Sequence, residues 1–492
     1  MRALLIRLCF VALRIGWNDV GFTGNSDLQT PNIDALAYNG RILRRHYSQS
    51  LCTPSRTALF TSRYPIRSGM QGLPMLPAEP RALPLYERLM PQYFKDLGYQ
   101  THLVGKWHLG YYDWKYTPTL RRAFDSHFGY FSGFIGYFDH EIKTPNLEPA
   151  YQLRGRYVTE LITEEAVRLI RAAAPSRNNT APLFLFLSHL APHAGNPGEH
   201  DLEYLPGDLE RPRLYSAMVW NLDKSVGQVV QALAENAMLN NSIIVFVSDN
   251  GAQTTGIFRN DGTSQQLFHL VDWLPTLFHA AGGNTNELSG MDGQDQWPGL
   301  LRAPTEVVEP GEYAARHELL VHIDEAFEQY ALIWRNWKLI LGTISKGEHD
   351  GWQGNFTNIN YNYQPKYVSE SQVAVSFMTL SNLRQISHEE FLKLQSETRV
   401  DCNYIEEEIL CKPEESPCLF DLASDPCERV NLSGAKPSLV ASLMSKLRTY
   451  MSQMKPQMNT ADDDAAFHPK FNNTWFPWRG RKDFASCGAV NN

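Results

Sequence analysis

Two short, unbroken apolar runs constrain this chain more than any other feature: Leu183 to Leu187 (Leu-Phe-Leu-Phe-Leu) and Ile243 to Val247 (Ile-Ile-Val-Phe-Val). Neither alternates with polar residues, so a strand built from either must be covered on both faces, as in a sheet held between helix layers. Pro182 bounds the first run, and Asp249-Asn250-Gly251 bounds the second. Tyr157 to Ala174 and Tyr215 to Asn236 read as helices. In the second of these Met218, Leu222, Val226, Val229 and Leu233 recur at three- and four-residue steps. Strand alternating with helix predicts an α/β, doubly wound sheet whose ligands gather beyond the carboxyl ends of its strands. Ser248-Asp249-Asn250-Gly251 stands just past one such end.

At 492 residues the chain exceeds what one small core supports. From about residue 325 its texture changes. Tyr330 to Leu341 reads as strand, an Asn-rich stretch runs over 342–363, and a cysteine cluster and a helix-like segment from Pro437 to Met451 follow. These predict a large domain over 1–325, a smaller α+β domain over 326–455, and an extended, poorly ordered tail over 456–492.

A composition of 43% hydrophobic and 20% charged residues belongs to a folded chain. The formal charge of −8 argues against nucleic acid as a partner; an anionic substrate would need cations gathered inside a pocket. Of the 7 cysteines, those at 402, 411, 418 and 427 crowd together with spacing too irregular for a zinc module. Disulfides in an oxidising compartment are the expectation. N-x-Ser/Thr sequons at Asn178, Asn240, Asn355, Asn431 and Asn472 lean the same way. The start, Met1-Arg2 followed by apolar Ala3 to Leu13, has the outline of a signal peptide. Against that, Arg7 breaks the run and no small-residue cleavage site precedes Gly16. No later segment reaches the roughly 20 apolar residues of a membrane span.

The chemistry-bearing feature is Cys52-Thr53-Pro54-Ser55-Arg56, continued by Thr57-Ala58-Leu59-Phe60-Thr61-Ser62-Arg63. A lone Cys here would read as a packed thiol at a loop-to-helix junction, with Pro54 in the first turn. The run, however, resembles the signature of the sulfatase family. Gly16-Trp17-Asn18-Asp19-Val20-Gly21-Phe22, Thr30-Pro31-Asn32-Ile33-Asp34, Gly105-Lys106-Trp107-His108-Leu109-Gly110, Ser248-Asp249-Asn250-Gly251, Asp272-Trp273-Leu274-Pro275-Thr276-Leu277 and Trp337-Lys338-Leu339-Ile340 resemble further motifs of that family in their usual order. The likeness runs to about residue 435 and is nearest the arylsulfatase B (N-acetylgalactosamine-4-sulfatase) group.

The resemblance implies an alkaline-phosphatase-like mixed central sheet flanked by helices, with a smaller C-terminal α+β domain. It implies a sulfuric-ester hydrolase acting on sulfated sugars or glycosaminoglycans such as N-acetylgalactosamine 4-sulfate units, in the lysosome or secreted. Cys52 would be oxidised to formylglycine by the formylglycine-generating enzyme. The hydrated aldehyde attacks sulfur with one hydroxyl, and collapse of the other expels sulfate, an exit that serine lacks. Carried over by position, Cys52, Arg56 and His108 would be catalytic, Arg56 steadying the diol and His108 lying beside it as base or orienting group. Lys106 and His193 would bind substrate. Asp249, Asn250 and modified Cys52 would hold calcium, a hard cation suited to oxygen donors. His189 competes with His193, but its place nearer the strand favours a packed, structural role.

Two departures stand out. Where the family carries an Asp-Asp pair ahead of its Gly-Trp-Asn-Asp run, an ungapped alignment puts Leu13 and Arg14. The interval between Asn250 and Asp272 is also short. It lacks the family's sulfate-contacting Lys, offers only Arg259 in its place, and predicts loss of a strand of the main sheet. Ser62 stands where the signature usually has Gly. An evolved change and an incomplete or alternatively spliced chain both fit these gaps. The competing functional reading is therefore a catalytically impaired sulfatase-fold protein that binds sulfated glycans or a partner. A phosphate-ester hydrolase of the wider superfamily fits the Cys signature less well.

Overall fold

The structure, a computed structural model, describes residues 7–13, 15–25, 28–139, 141–144, 147–175, 181–193, 211–250, 254–256, 262–302, 316–343, 363–379, 387–400, 409–466 and 474–480. In chain order the strands are β1 (Arg7–Leu13), β2 (Arg41–Leu43), β3 (His46–Tyr47), β4 (Gln100–Lys106), β5 (Ser126–Tyr130), β6 (Leu183–Ser188), β7 (Ser242–Ser248), β8 (Thr254–Gly256), β9 (Gly262–Ser264), β10 (Phe268–His269), β11 (Glu318–Asp324), β12 (Gln329–Trp334), β13 (Trp337–Leu341) and β14 (Cys418–Asp421). The helices are α1 (Pro31–Tyr38), α2 (Cys52–Thr61), α3 (Met90–Asp96), α4 (Val158–Ala172), α5 (Arg211–Glu235), α6 (Trp273–Ala280), α7 (Trp297–Leu300), α8 (Pro365–Ser369), α9 (Gln372–Met378), α10 (His388–Thr398) and α11 (Pro437–Ser452).

The apolar runs become β6 and β7 at the heart of an 8-stranded sheet ordered β5-β4-β6-β1-β7-β8-β2-β9. Their residues feed two cores in alternation. Phe184, Phe186, Val245 and Val247 pack with α2, α3 and α6, while Leu185, Leu187, Ile244 and Phe246 pack with α1, α4 and α5. That double coverage is why neither strand carries a polar face. The pairs β5–β4, β4–β6, β6–β1 and β1–β7 are parallel, whereas β8 runs antiparallel to β7 and β2, so the sheet is mixed. The expected loss of a strand between Asn250 and Asp272 is corrected, because β8 and β9 extend the sheet there. Arg259 lies outside the described residues.

The second sheet, β11-β12-β13-β14, is antiparallel. Its first strand starts at Glu318, ahead of the expected 325/326 junction. Leu320, Ile323, Leu332, Leu339 and Leu419 from this sheet, with Leu443 and Leu447 of α11, join the core that holds Leu59 and Phe60 of α2. The single strand expected over Tyr330–Leu341 is instead the hairpin β12–β13. It turns at Arg335-Asn336 with Arg335 at φ 55° and Trp334 facing Trp337; no glycine announces this turn. Nor is the described part of the tail loose. Lys455 N donates to Ile66 O at 2.8 Å, Met458 N to Gly69 O at 2.8 Å and Asp463 N to Ala78 O at 2.9 Å, tying the tail to the loop after α2. Disulfide formation in the cysteine cluster is as expected: Cys411 bonds Cys418, and Cys427 is also disulfide-bonded. Cys402 lies outside the described residues, and no described helix is long and apolar enough to cross a membrane.

Candidate active site

Parallel pairing brings the ends of five strands to one edge. Leu13 of β1 is level with Ser248 of β7, Ala12 with Ser188 of β6, Gly105 of β4 with Ser188, and Lys106 with Tyr130 of β5. Gly105 is required at its position. Its φ is +106°, and a Cβ there would lie 1.8 Å from the Ser188 carbonyl oxygen.

Cys52 opens α2 above this edge, after an extended Leu51, and the whole helix is buried. The Cys52 thiol donates to the Asn250 side-chain oxygen at 3.2 Å and is hydrogen-bonded by Lys106. Burial pushes the Lys106 ammonium below the usual lysine range, while Cys52 and Asp249 beside it push back up. Arg56 lies one turn along α2 from Cys52. Its guanidinium is spent on the scaffold, with Nε 3.1 Å from Asp249 Oδ2, Nη1 2.9 Å from Lys106 O and Nη2 2.8 Å from Ser188 Oγ. The resemblance gives Arg56 the task of steadying the diol; its hydrogen bonds here join Asp249 to the ends of β4 and β6.

His108 holds φ 58°, and its Nε2 lies 3.0 Å from the Met75 carbonyl. A carbonyl only accepts, so neutral His108 carries its proton on Nε2 and leaves Nδ1 bare. Nδ1 is buried with no hydrogen-bond partner. Burial, then the charge of Lys106, holds the ring well below the ordinary imidazole range. His193 follows β6 on a half-buried turn. Its carbonyl accepts from Tyr137 Oη at 2.8 Å, its ring stacks on Phe134 at 6.2 Å, and it lies close enough to His108 to act on that group's charge. His189 packs away from the site, with Nε2 2.9 Å from Ser225 Oγ and its pKa pushed down to about 3 by burial.

Ser188 and Tyr130 escaped the sequence reading, and Ser248 was read only as part of its motif. Ser188 anchors Arg56. Ser248 Oγ accepts from Ile15 N at 3.0 Å and fixes where β1 exits. Tyr130, level with Lys106, has a buried hydroxyl without a hydrogen-bond partner, its pKa raised by burial, with Arg56, Asp249 and Cys52 as neighbours. Only a strand-end position signalled Ser188 and Tyr130.

Among the described residues the donors at the site do not fit calcium, which takes six to eight oxygens. They are the Asp249 carboxylate, already paired with Arg56, and the Asn250 amide. No group of three His, Cys, Asp or Glu converges among the described residues. Leucine at position 13, at the site's edge, offers no side-chain donor of the kind a carboxylate would, and Arg14 lies outside the described residues.

Comparison with known proteins identifies the family and the fold. The Sulfatase family model matches residues 14–329. Arylsulfatase J of Mus musculus is 29% identical, over 94% of this chain and 78% of its own length. N-acetylgalactosamine-6-sulfatase of Homo sapiens is 33% identical over 48% of this chain and 48% of its own length, so this match spans about half of that relative. Among solved structures, the PsFucS1 sulfatase from Pseudoalteromonas sp. superposes with a TM-score of 0.62 at 19% identity, covering 93% of this chain and 92% of that one. BT4656, solved with its substrate D-glucosamine-2-N,6-O-disulfate, gives 0.59 at 16% identity, covering 92% and 100%. These two likenesses speak to the fold. With the family model matched over well more than half of its length, this chain belongs to the sulfatase family of sulfuric-ester hydrolases.

Proposed function

We propose that the protein hydrolyses sulfate esters of sugars, such as N-acetylgalactosamine 4-sulfate, through formylglycine made from Cys52. One observation carries this reading. Cys52, free among the described cysteines, meets Lys106 and Asn250 in a buried pocket at the carboxyl edge of the sheet. Formylglycine, once formed by the generating enzyme, supplies a hydrated aldehyde whose hydroxyl is the nucleophile toward sulfur. Lys106 binds the sulfate oxygens, and the Tyr130 hydroxyl donates to the same oxygens. His108, neutral and bare at Nδ1, accepts the proton that the attacking hydroxyl loses. His193, on the substrate side, returns a proton to the departing sugar oxygen. Arg56 keeps Asp249 and the two strand ends in register. We assign these steps to the domain expected over 1–325 and place the protein in the lysosome or outside the cell. The disulfides of the C-terminal sheet support that compartment.

A second reading, a sulfatase-fold protein that binds sulfated glycans without turnover, draws on the incomplete calcium donor set. Mass spectrometry of the Cys52 peptide from secretory-pathway material, paired with hydrolysis of a chromogenic aryl sulfate with and without calcium, separates the two. The hydrolase reading expects aldehyde at Cys52 and turnover. Aldehyde without turnover establishes the binding protein, and an intact thiol throughout removes the enzyme reading.

A further inference from the structure

Beside the catalytic pocket lies a second cleft of about 920 Å³, within the range of ligand sites. Leu51, which immediately precedes Cys52, forms part of its wall. So does Leu73, two positions before the Met75 that orients His108. The two pockets are thus neighbours along the same backbone. Their chemistry is opposite. The catalytic pocket gathers Arg56, Lys106, His108 and His193, whereas the cleft has no Lys or Arg among its described lining residues and carries Glu328, Glu414 and Glu415. Glu415 is paired with exposed Lys412 at 3.1 Å; Glu328 and Glu414 have no cationic partner among the described residues.

The cleft also presents an aromatic face. Phe327 is 55% exposed, and its ring lines the cleft. It sits on a turn that is pinned, because Asp324 Oδ1 accepts from Ala326 N at 3.0 Å and Phe327 N at 3.3 Å, and Gln457 Nε2 donates to the same oxygen at 3.1 Å. Tyr330, Leu51 and Leu73 extend the apolar floor. Across from it, Gly342 N donates to Pro413 O at 2.8 Å and the Cys411–Cys418 disulfide closes the turn bearing Glu414 and Glu415.

We propose that this cleft is a subsite for an uncharged sugar unit glycosidically joined to the sulfated one. The proposal rests on the sulfate-ester reading above and deepens it. The CH face of a neutral pyranose lies against Phe327, and its hydroxyls donate to Glu328 and Glu414. A uronate or second sulfate would face the carboxylates at close range and is turned away. The sulfate itself is drawn to the Lys106 end, so the opposed charges set the direction of the substrate.

The test uses formylglycine-bearing full chain and four substrates: an aryl sulfate, a sulfated N-acetylgalactosamine, and that unit joined to a neutral hexose or to a uronic acid. The neutral disaccharide should exceed the monosaccharide in kcat/KM by roughly fivefold to tenfold, and the uronate disaccharide should fall below both. Phe327→Ala should erase the gain without touching aryl sulfate turnover, and Glu328→Lys with Glu414→Lys should invert the preference. Equal rates for the two disaccharides, or a gain that survives Phe327→Ala, overturns the subsite. Absence of aryl sulfate turnover in the unmutated chain instead removes the hydrolase reading. Calorimetric titration with the two disaccharides then decides the cleft alone: tighter neutral binding sustains it, and equal or tighter uronate binding sinks it.

Discussion

At the scale of single residues, the site divides into side chains that announce themselves and side chains that acquire a role only by register. Cys52, Lys106, His108, Asp249 and Asn250 were legible because they stand in short motifs that resemble those of the sulfatase family, in their usual order. Tyr130 and Ser188 were not. Each ends an ordinary strand, and only the parallel pairing of β4 with β5 and β6 sets them beside Lys106 and Arg56. A tyrosine hydroxyl kept dry and unbonded is a liability unless a ligand completes it. Tyr130→Phe should therefore lower kcat/KM by about tenfold or more while leaving the melting temperature unchanged or higher. Steady-state kinetics with parallel thermal denaturation would check this, and unchanged kinetics would leave Tyr130 a packing residue.

At the scale of elements, helix α2 shows how a departure from the family pattern is accommodated. Ser62, where glycine is usual, closes the helix at φ 58° with its N–H on Ala58 O at 2.9 Å. Its hydroxyl donates to Val271 O at 2.6 Å, offsetting the left-handed conformation that glycine adopts freely. Ser62→Ala keeps the strain and strips the bond, so it should cost about 1–2 kcal/mol of stability, read from urea denaturation. Ser62→Gly relieves one and loses the other, and should stay within about 0.5 kcal/mol of the parent. The Asp272 motif serves an element too. It pairs with Arg316 (Nε to Oδ2, 2.8 Å) and so bolts the head of α6 to the approach of β11. That contact spans 44 residues and could not be seen in any local pattern. The β6, β7, α4, α5 and α11 elements could, since unbroken apolar runs define the strands and helical patterning the helices. The β12–β13 turn could not, since Arg335-Asn336 carries a weak turn signal between two tryptophans.

At the scale of the whole molecule, buried titratable groups pull stability in opposite directions. Burial pushes Asp34 up to about 8 and Asp223 to about 7. The unfolded chain ionises them near 3.8 while the fold resists, so stability present at acid pH is lost as pH rises through those values. His46 and His189 are pushed down to about 3 and His127 to about 4. Below about 6.5 the unfolded chain takes up protons that the fold refuses, so stability falls with falling pH. The maximum is expected near pH 6–7, on the order of the crossover of these two sets. Asp34→Asn should shrink the drop in melting temperature between about pH 6 and 8, which a thermal scan against pH would show; an unchanged slope would mean that Asp34 is not the group responsible. The tail adds a dimension of time. The loop that steers His108 is fastened at Gly69, Ala78 and Glu79 by Met458, Asp463 and Thr460, far downstream in the chain. A ribosome adding roughly 5–20 residues per second delivers Cys52 on the order of tens of seconds before those fasteners exist. In that interval the thiol, buried in the finished molecule at 4% exposure, is still open to a bulky modifying enzyme. If Cys52 is converted as proposed above, the order of synthesis sets a deadline for that step, and a chain whose Cys52 misses it would fold around an unconverted thiol.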